Sequence, residues 1–279
     1  MGAAVTVVDA HHHVWDLSVR DQDWIAEDSP IRRNFTVDDL APEAHAAGVD
    51  RTVLVQTITI AEETPEFLAL AAEHDLIAGV VGWTDLTRPD VAEELARLRK
   101  LPGGPYLKGI RHQVQGEPDP EWLLRADVRR GLSAVAEAGL VYDLVVLPHQ
   151  MPACVKAAAD HPDLTFVLDH LGKPPIASGE REPWETAVRS LAALSNTVCK
   201  LSGMVTEADL ASWTVDDLRP YADVVLDAFG PDRLMFGSDW PVCDLAASYG
   251  QVLATAQELT GDADRTQIFE GTATRVYDL

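Results

Sequence analysis

The sequence predicts an α/β fold, a (β/α)8 TIM barrel. Three observations carry this. Eight short apolar or β-branched runs recur along the 279 residues. Ala-, Leu- and Glu-rich segments with helical spacing separate them. Most of the runs are apolar almost throughout, as strands buried on both faces are. Strands and helices alternating over about 250 residues are the pattern of such a barrel. A doubly wound open sheet competes, but it usually has fewer strands and often a Gly-rich phosphate loop after the first. Here the first run leads into His11-His12-His13 instead.

Each element follows in order. The first run, VTVVDAH, starts at Val5 and leads into the histidines. Residues 14–36, with Trp15, Trp24 and the Arg32-Arg33 pair, are too many for a simple βα turn. We read them as a long loop over the active-site face. A helix over 38–47 stops at Gly48, and RTVLVQT from Arg51 is the second strand. A helix over 65–73 precedes IAGVVGW from Ile77, and one over 91–98 precedes LKGIRH from Leu107. A helix over 128–138 stops at Gly139 before LVYDLVV from Leu140. Helices over 151–161, 184–194, 217–229 and 245–259 then alternate with LTFVLDH from Leu164, NTVCKLS from Asn196 and RLMFGSD from Arg233. The whole chain, 1–279, reads as one barrel domain.

Composition narrows the function. A net charge of −23 argues against nucleic acid and anionic membrane as partners. The acidic residues are scattered, which suits a soluble protein rather than one with an acidic tail. No run of 18 apolar residues or signal-peptide pattern is present. Cys154, Cys199 and Cys243 are too few and too dispersed for a disulfide framework or a zinc-finger pattern, and they read as buried hydrophobes. A cytoplasmic protein is expected, with a homo-oligomer left open.

In a barrel of this type the active site lies at the C-terminal strand ends. Polar groups collect at that end of the predicted strands: His11 and His13, Gln56, Trp83, Arg111 with His112 and Gln113, His149 and Gln150, Asp169 with His170 and Lys173, Lys200 and Ser202, Ser238 and Asp239. His11 and His13 are two apart, so on a strand they share a face about 7 Å apart while His12 points away. With a third His and an Asp across the mouth they suit Zn²⁺ or a similar ion. The same groups also suit metal-free chemistry, with imidazoles donating to a carbonyl oxygen and the Asp deprotonating water.

DAHHHVWD, VLVQT, LKGIRHQVQ, YDLVV, FVLDHLGKP, CKLSG and FGSDWPV occur in that order over nearly the whole chain. Together they resemble the amidohydrolase superfamily, in its branch of sugar-lactone hydrolases (L-fuconolactonases and L-rhamnonolactonases), with the pyrone-dicarboxylate lactonases more distant. The resemblance implies a hydrolase that opens the cyclic ester of a sugar-derived aldono-lactone to the aldonic acid. It assigns catalysis to Asp239, which activates water and returns the proton to the leaving hydroxyl, and to His170, His11, His13 and Arg111, which polarise the carbonyl. Binuclear members carry a lysine or glutamate at the end of strand four and a strand-five histidine. Here Lys108 lies early in strand four and Gln150 follows His149, so no cofactor, or one loosely held divalent ion such as Zn²⁺ on His11, His13, His170 and Asp239, is implied.

Plainer readings stand beside these. His12 is expected to pack. Asp239 could cap a following helix. Trp24, Trp83 and Trp240 are candidates for an apolar wall against a sugar ring, yet tryptophans are more often simply packed. His112, Gln150 and Lys173 are further candidates for substrate contact. A metal-dependent decarboxylase or amide hydrolase on the same barrel, or a non-catalytic binding barrel, are the rival functions.

Overall fold

The computed structural model describes residues 6–261 and 263–279. Eight parallel strands follow one another in sequence order: β1 (Val7–His12), β2 (Val49–Val55), β3 (Ile77–Gly82), β4 (Leu107–His112), β5 (Val141–Leu144), β6 (Phe166–Leu168), β7 (Thr197–Leu201) and β8 (Leu234–Phe236). The ring closes between the ends of β8 and β1. There the Asp239 amide donates to the His11 carbonyl at 2.8 Å and the His13 amide to the Trp240 carbonyl at 2.7 Å. This is the predicted (β/α)8 barrel. Val5, the expected start of the first strand, lies outside the described residues.

The helices are α1 (Val37–Ala46), α2 (Glu63–Glu73), α3 (Val91–Leu98), α4 (Ala126–Glu137), α5 (Met151–Asp160), α6 (Trp184–Ala192), the single turn α7 (Met204–Glu207), α8 (Val215–Phe229), α9 (Tyr249–Thr260) and α10 (Thr272–Tyr277). Capping boxes start three of them: Thr36 with Asp39, Thr214 with Asp217, and Ser248 with Gln251. The last of these corrects the expected start of the final long helix. Residues 242–245 form a separate tight turn, and Ser248 sets the helix beginning. No helix among the described residues is long and apolar enough to cross a membrane.

The inside of the barrel is layered. Val53, Val55, Val81, Val141, Val167, Val198 and Met235 pack with Val8 and Ala10, and α10 closes the base with Ala273 and Tyr277. Above this apolar layer lies a charged one. Lys200 is fully buried, with its Nζ 2.6 Å from Asp143 and 3.0 Å from Asp169. Tyr277 donates to Asp143 from below, and Arg111 donates to Asp169 at 3.0 Å from above. Register explains the stacking: Arg111 lies opposite Asp143 on neighbouring strands, and Asp143 opposite Val167.

β1 contains an irregularity that determines the site. The residues Asp9 to His12 are matched against only Thr52 to Leu54 of β2, so β1 carries one extra residue there. Below it Val8 and Ala10 face inward, and Asp9 faces outward to accept from Tyr249 on α9. Strict alternation would then turn His12 inward. The extra residue flips the parity, so His11 and His13 face the axis instead. His12 faces out, fully buried, with neither ring nitrogen hydrogen-bonded, and burial pushes its pKa down to about 3.

Removing the central cation leaves two buried carboxylates without it. Breaking one side of a buried ion pair costs about 3–5 kcal/mol. Lys200→Met is therefore expected to lower the unfolding free energy in urea by about that amount. A variant as stable as the parent would show that the column is not a unit.

Candidate active site

The strand ends deliver their side chains through strained backbone. His170, Leu171 and Lys173 follow β6 with φ of 53°, 54° and 53°, and Asp239 follows β8 with φ 60°. Four of the five non-glycine residues with positive φ among those described are thus at one place. That conformation is unfavourable for branched or bulky side chains and persists only where neighbours enforce it. One neighbour is Gly203 (φ 65°), packed directly against the His170 ring. Another is Trp184, whose indole donates to the Leu171 carbonyl at 2.7 Å.

These turns bring four groups together. Asp239 Oδ1 lies 3.5 Å from His13 Nε2, 3.7 Å from His11 Nε2 and 3.8 Å from His170 Nε2. The Nε2 atoms of His11 and His13 are 3.1 Å apart, much closer than the spacing expected along a flat strand, because the rings converge. Burial works against ionising Asp239. The surrounding imidazoles of His170, His13 and His11 outweigh it and hold the carboxyl well below the usual range. Burial lowers His170 to about 4 and His11 well below its ordinary value, with Lys200 adding to the effect on His11. At neutral pH the centre is therefore one carboxylate facing neutral His11 and His170.

Hydrogen bonds assign the tautomers. His13 Nδ1 is 2.7 Å from the Val55 carbonyl, which only accepts, so this nitrogen carries the proton and Nε2 presents a lone pair. The Ser202 hydroxyl accepts from the His170 amide at 3.3 Å and lies 2.9 Å from His170 Nδ1. With the Asp239 carboxylate 3.8 Å from Nε2, the His170 proton is assigned to Nε2 and the Ser202 hydroxyl donates to Nδ1. Arg111 is held by the Gln56 side chain at 2.9 Å and by the Gln56 carbonyl.

A cavity of about 120 Å³ opens above this centre. His13, Arg111, His170 and Asp239 line it, with Lys173 and Trp24 at the rim. Trp24 comes from the 14–36 segment, within which Trp15 bridges to Phe35 and Trp24 packs edge-on against Trp15. His11 lies beneath, fully buried. Four other predicted contacts are structural. Trp240 is buried against Phe35. Gln150 is buried and braces the Leu147 amide and the Val114 carbonyl. His112 stacks on Trp122 and bonds Glu117, while Trp83 donates to His112 at 3.0 Å. None of these four lines the cavity. Asp239 does not act as a side-chain cap, since the Cys243 amide bonds its backbone oxygen. Lys108 bonds the Asp278 carbonyl at the opposite end of the barrel, and His149 is exposed.

Sequence reasoning missed Thr57, Gln115, Val145 and Val242 in the cavity wall and Asp143 beneath it. Asp143 had a signal: a lone carboxylate inside an apolar run. The wall residues had none: they are neutral side chains just past the strand ends or in short turns, where residue type does not mark a wall.

The donor set fits a divalent ion. One ligand atom each from His11, His170 and Asp239 lie within 4.8 Å of one another, all buried, and His13 turns a lone pair to the same point. Imidazole and carboxylate together suit Zn²⁺.

Comparison with known proteins follows this geometry. The sequence profile described as Amidohydrolase matches residues 8–279. The L-fucono-1,5-lactonase of Burkholderia multivorans is 40% identical over 287 residues, covering 98% of this chain and 96% of that protein. The L-fucono-1,5-lactonase of Burkholderia ambifaria is 37% identical, covering 97% and 94%. The crystal structure of an amidohydrolase from Burkholderia multivorans with bound zinc superposes with a TM-score of 0.92 at 39% identity, covering 98% of this chain and 99% of that one.

A Cβ on Gly203 would lie 2.6 Å from His170 Nδ1, on backbone of positive φ. Gly203→Ala is expected to cost at least about 1–2 kcal/mol in urea unfolding. It is also expected to shift the ring-nitrogen resonances of His170. Unchanged resonances would mean that this contact does not hold the ring.

Proposed function

The chain belongs to the amidohydrolase family, and from that membership we propose that it hydrolyses a sugar-derived lactone to the aldonic acid. The observation that carries the reading is the ionised Asp239 facing three imidazole nitrogens at the base of a small polar cavity. The named relatives act, by name, on L-fucono-1,5-lactone.

In this mechanism Asp239 accepts a proton from a water as its oxygen adds to the lactone carbonyl. The Nε2–H of His170 and the Arg111 guanidinium donate to the developing oxyanion. His13 does not donate there, since its proton is committed to Val55. This departs from the expectation that all the imidazoles act as donors. His13 instead accepts, from His11 or from water, and orients the nucleophile. Collapse of the tetrahedral adduct breaks the ring C–O bond, and Asp239 returns its proton to the leaving alkoxide. Gln56 fixes Arg111, and Ser202 fixes His170. Trp24 offers a face to the sugar ring, and Lys173 a polar rim.

His11, His13, His170 and Asp239 would hold an ion when one is bound. It would supply Lewis acidity to the carbonyl. Lys200 lies 3.1 Å from His11 Nδ1 and competes with Asp169 for that nitrogen, which supports loose rather than tight binding. The three buried free cysteines suit a reducing cytoplasm.

A pH-indicator assay across 1,4- and 1,5-aldonolactones tests the function, since each turnover releases an acid. Asp239→Asn is expected to bind lactone and to lose roughly 10²–10⁴-fold in kcat. Chelation is expected to leave most activity in place. Stoichiometric zinc with complete loss on chelation would favour the metal-dependent alternative, and an enzyme inert to every lactone would refute the proposal.

A further inference from the structure

We propose that Glu207 is a specificity-determining residue that reserves the cavity for uncharged lactones by neutralising Lys173. The inference rests on the lactonase reading above. Of the residues lining the cavity, the permanent cations are Arg111 and Lys173. Each already has a carboxylate. Arg111 is paired with Asp169 at 3.0 Å, both buried. Lys173 Nζ is 3.2 Å from Glu207 Oε1.

The two pairs differ in what they can do. Arg111 is fixed from behind by Gln56 and cannot leave Asp169 without breaking the charged column. Lys173 stands at the rim, about a quarter exposed, on a flexible stem. Unpaired, it would be the natural anchor for an anionic substituent on a substrate. Glu207 removes that option. It is well placed to do so, because α7 is anchored by buried Met204 and Val205 and by the Thr206 hydroxyl bonded to the Gly203 carbonyl at 2.9 Å. Gly203 is the residue packed on His170, so the same short segment positions a catalytic ring and the compensating charge.

Charge counting gives the same sign. Of the permanent charges at the site, Lys200, Arg111 and Lys173 face Asp143, Asp169, Asp239 and Glu207. Three cations against four carboxylates leave an excess negative charge at the site. A lactone bearing its own carboxylate meets repulsion, whereas a polyhydroxylated neutral one meets donors and acceptors in Thr57, Gln113 and Gln115. An exposed ion pair contributes little to stability, so this one is free to act through the field it removes.

The experiment compares kcat/KM for neutral aldonolactones with that for D-glucaro-1,4-lactone, which carries one free carboxylate, in four proteins. The wild type is expected to favour the neutral substrates. Glu207→Gln is expected to raise the anionic-to-neutral ratio at least about tenfold, mainly through KM, with the gain lost as salt is raised. Lys173→Met should push the ratio below wild type, and Glu207→Gln with Lys173→Met should abolish the gain. A wild type that turns over the glucarolactone as well as neutral lactones overturns the inference. So does a Glu207→Gln ratio unchanged from wild type, or, if that variant does not fold, a Lys173→Met ratio unchanged from wild type. In each case neutral-lactone turnover by the wild type leaves the lactonase reading standing. A wild type inert to all lactones removes that reading itself, and this inference with it.

Discussion

The ammonium of Lys200 is the constraint on which the rest of the barrel depends. It sits on the axis with no exposure, touching Asp143, Asp169 and His11. Desolvating such a charge is expensive, and an apolar core of the same volume is often at least as stable. The column is therefore poor material for stability and good material for position. Tyr277 fixes it from below, and the Gln56–Arg111 pair fixes it from above. Asp169 belongs at once to the column and to the turn that presents His170. Its carboxyl is held far below the usual range because Lys200, His11 and Arg111 together outweigh burial. The floor of the candidate site is thus an electrostatic lattice, and the imidazoles stand on it.

Above the floor, precision comes from backbone rather than side-chain packing. One extra residue in β1 turns two histidines inward. Left-handed residues after β6 and β8 do the same for His170 and Asp239. Regular strands would send alternate side chains to opposite faces and could not bring three imidazoles within 3.8 Å of one carboxylate in this way. Gly203 supplies the space that one of these turns needs. The layer beneath is ordinary valine packing, which tolerates none of this polarity and so confines it to one end.

That division explains what the sequence made legible. Strand order and barrel closure were readable because eight apolar runs alternate with amphipathic segments, a signal summed over many residues. His11, His13, His170 and Asp239 were readable because polar groups at strand ends have few other reasons to cluster. Trp240, Gln150, His112 and Trp83 share that address, yet the fold uses them as struts. Nothing in residue type separates a glutamine that braces a turn from one that meets a ligand. That His11 and His13 share a face, with His12 on the other, follows from their two-residue spacing, but which face is inward does not. Simple alternation from Val8 and Ala10 would have placed His12 inward, and only the extra residue reverses it. Long-range partners such as Lys200 with Asp143, 57 positions apart, leave no local trace beyond a charge in an apolar run.

The same lattice decides how the site treats a metal. For His11 to offer its Nε2 lone pair, its proton must move to Nδ1 and bond to Asp169, 3.5 Å away. The Arg111 guanidinium, 3.4 Å from Nε2 and already bonded to Asp169, would favour a lone pair there, but the closer Lys200 ammonium, 3.1 Å from Nδ1, makes that nitrogen the acceptor and so favours the proton on Nε2. In that tautomer His11 donates to His13 Nε2 or to Asp239 and is a hydrogen-bonding member of the site, not a ligand. His13, by contrast, is fixed as a lone-pair donor by Val55. The two histidines of one short motif are therefore set to opposite roles by what lies behind them. An ion taken up on these nitrogens would need the protons of His11 and His170 moved from Nε2 to Nδ1, while it would use His13 as it stands. Its affinity would be lowered by the free energy of those tautomer changes, which is set behind the ligands by Lys200 at His11 and by Ser202 at His170.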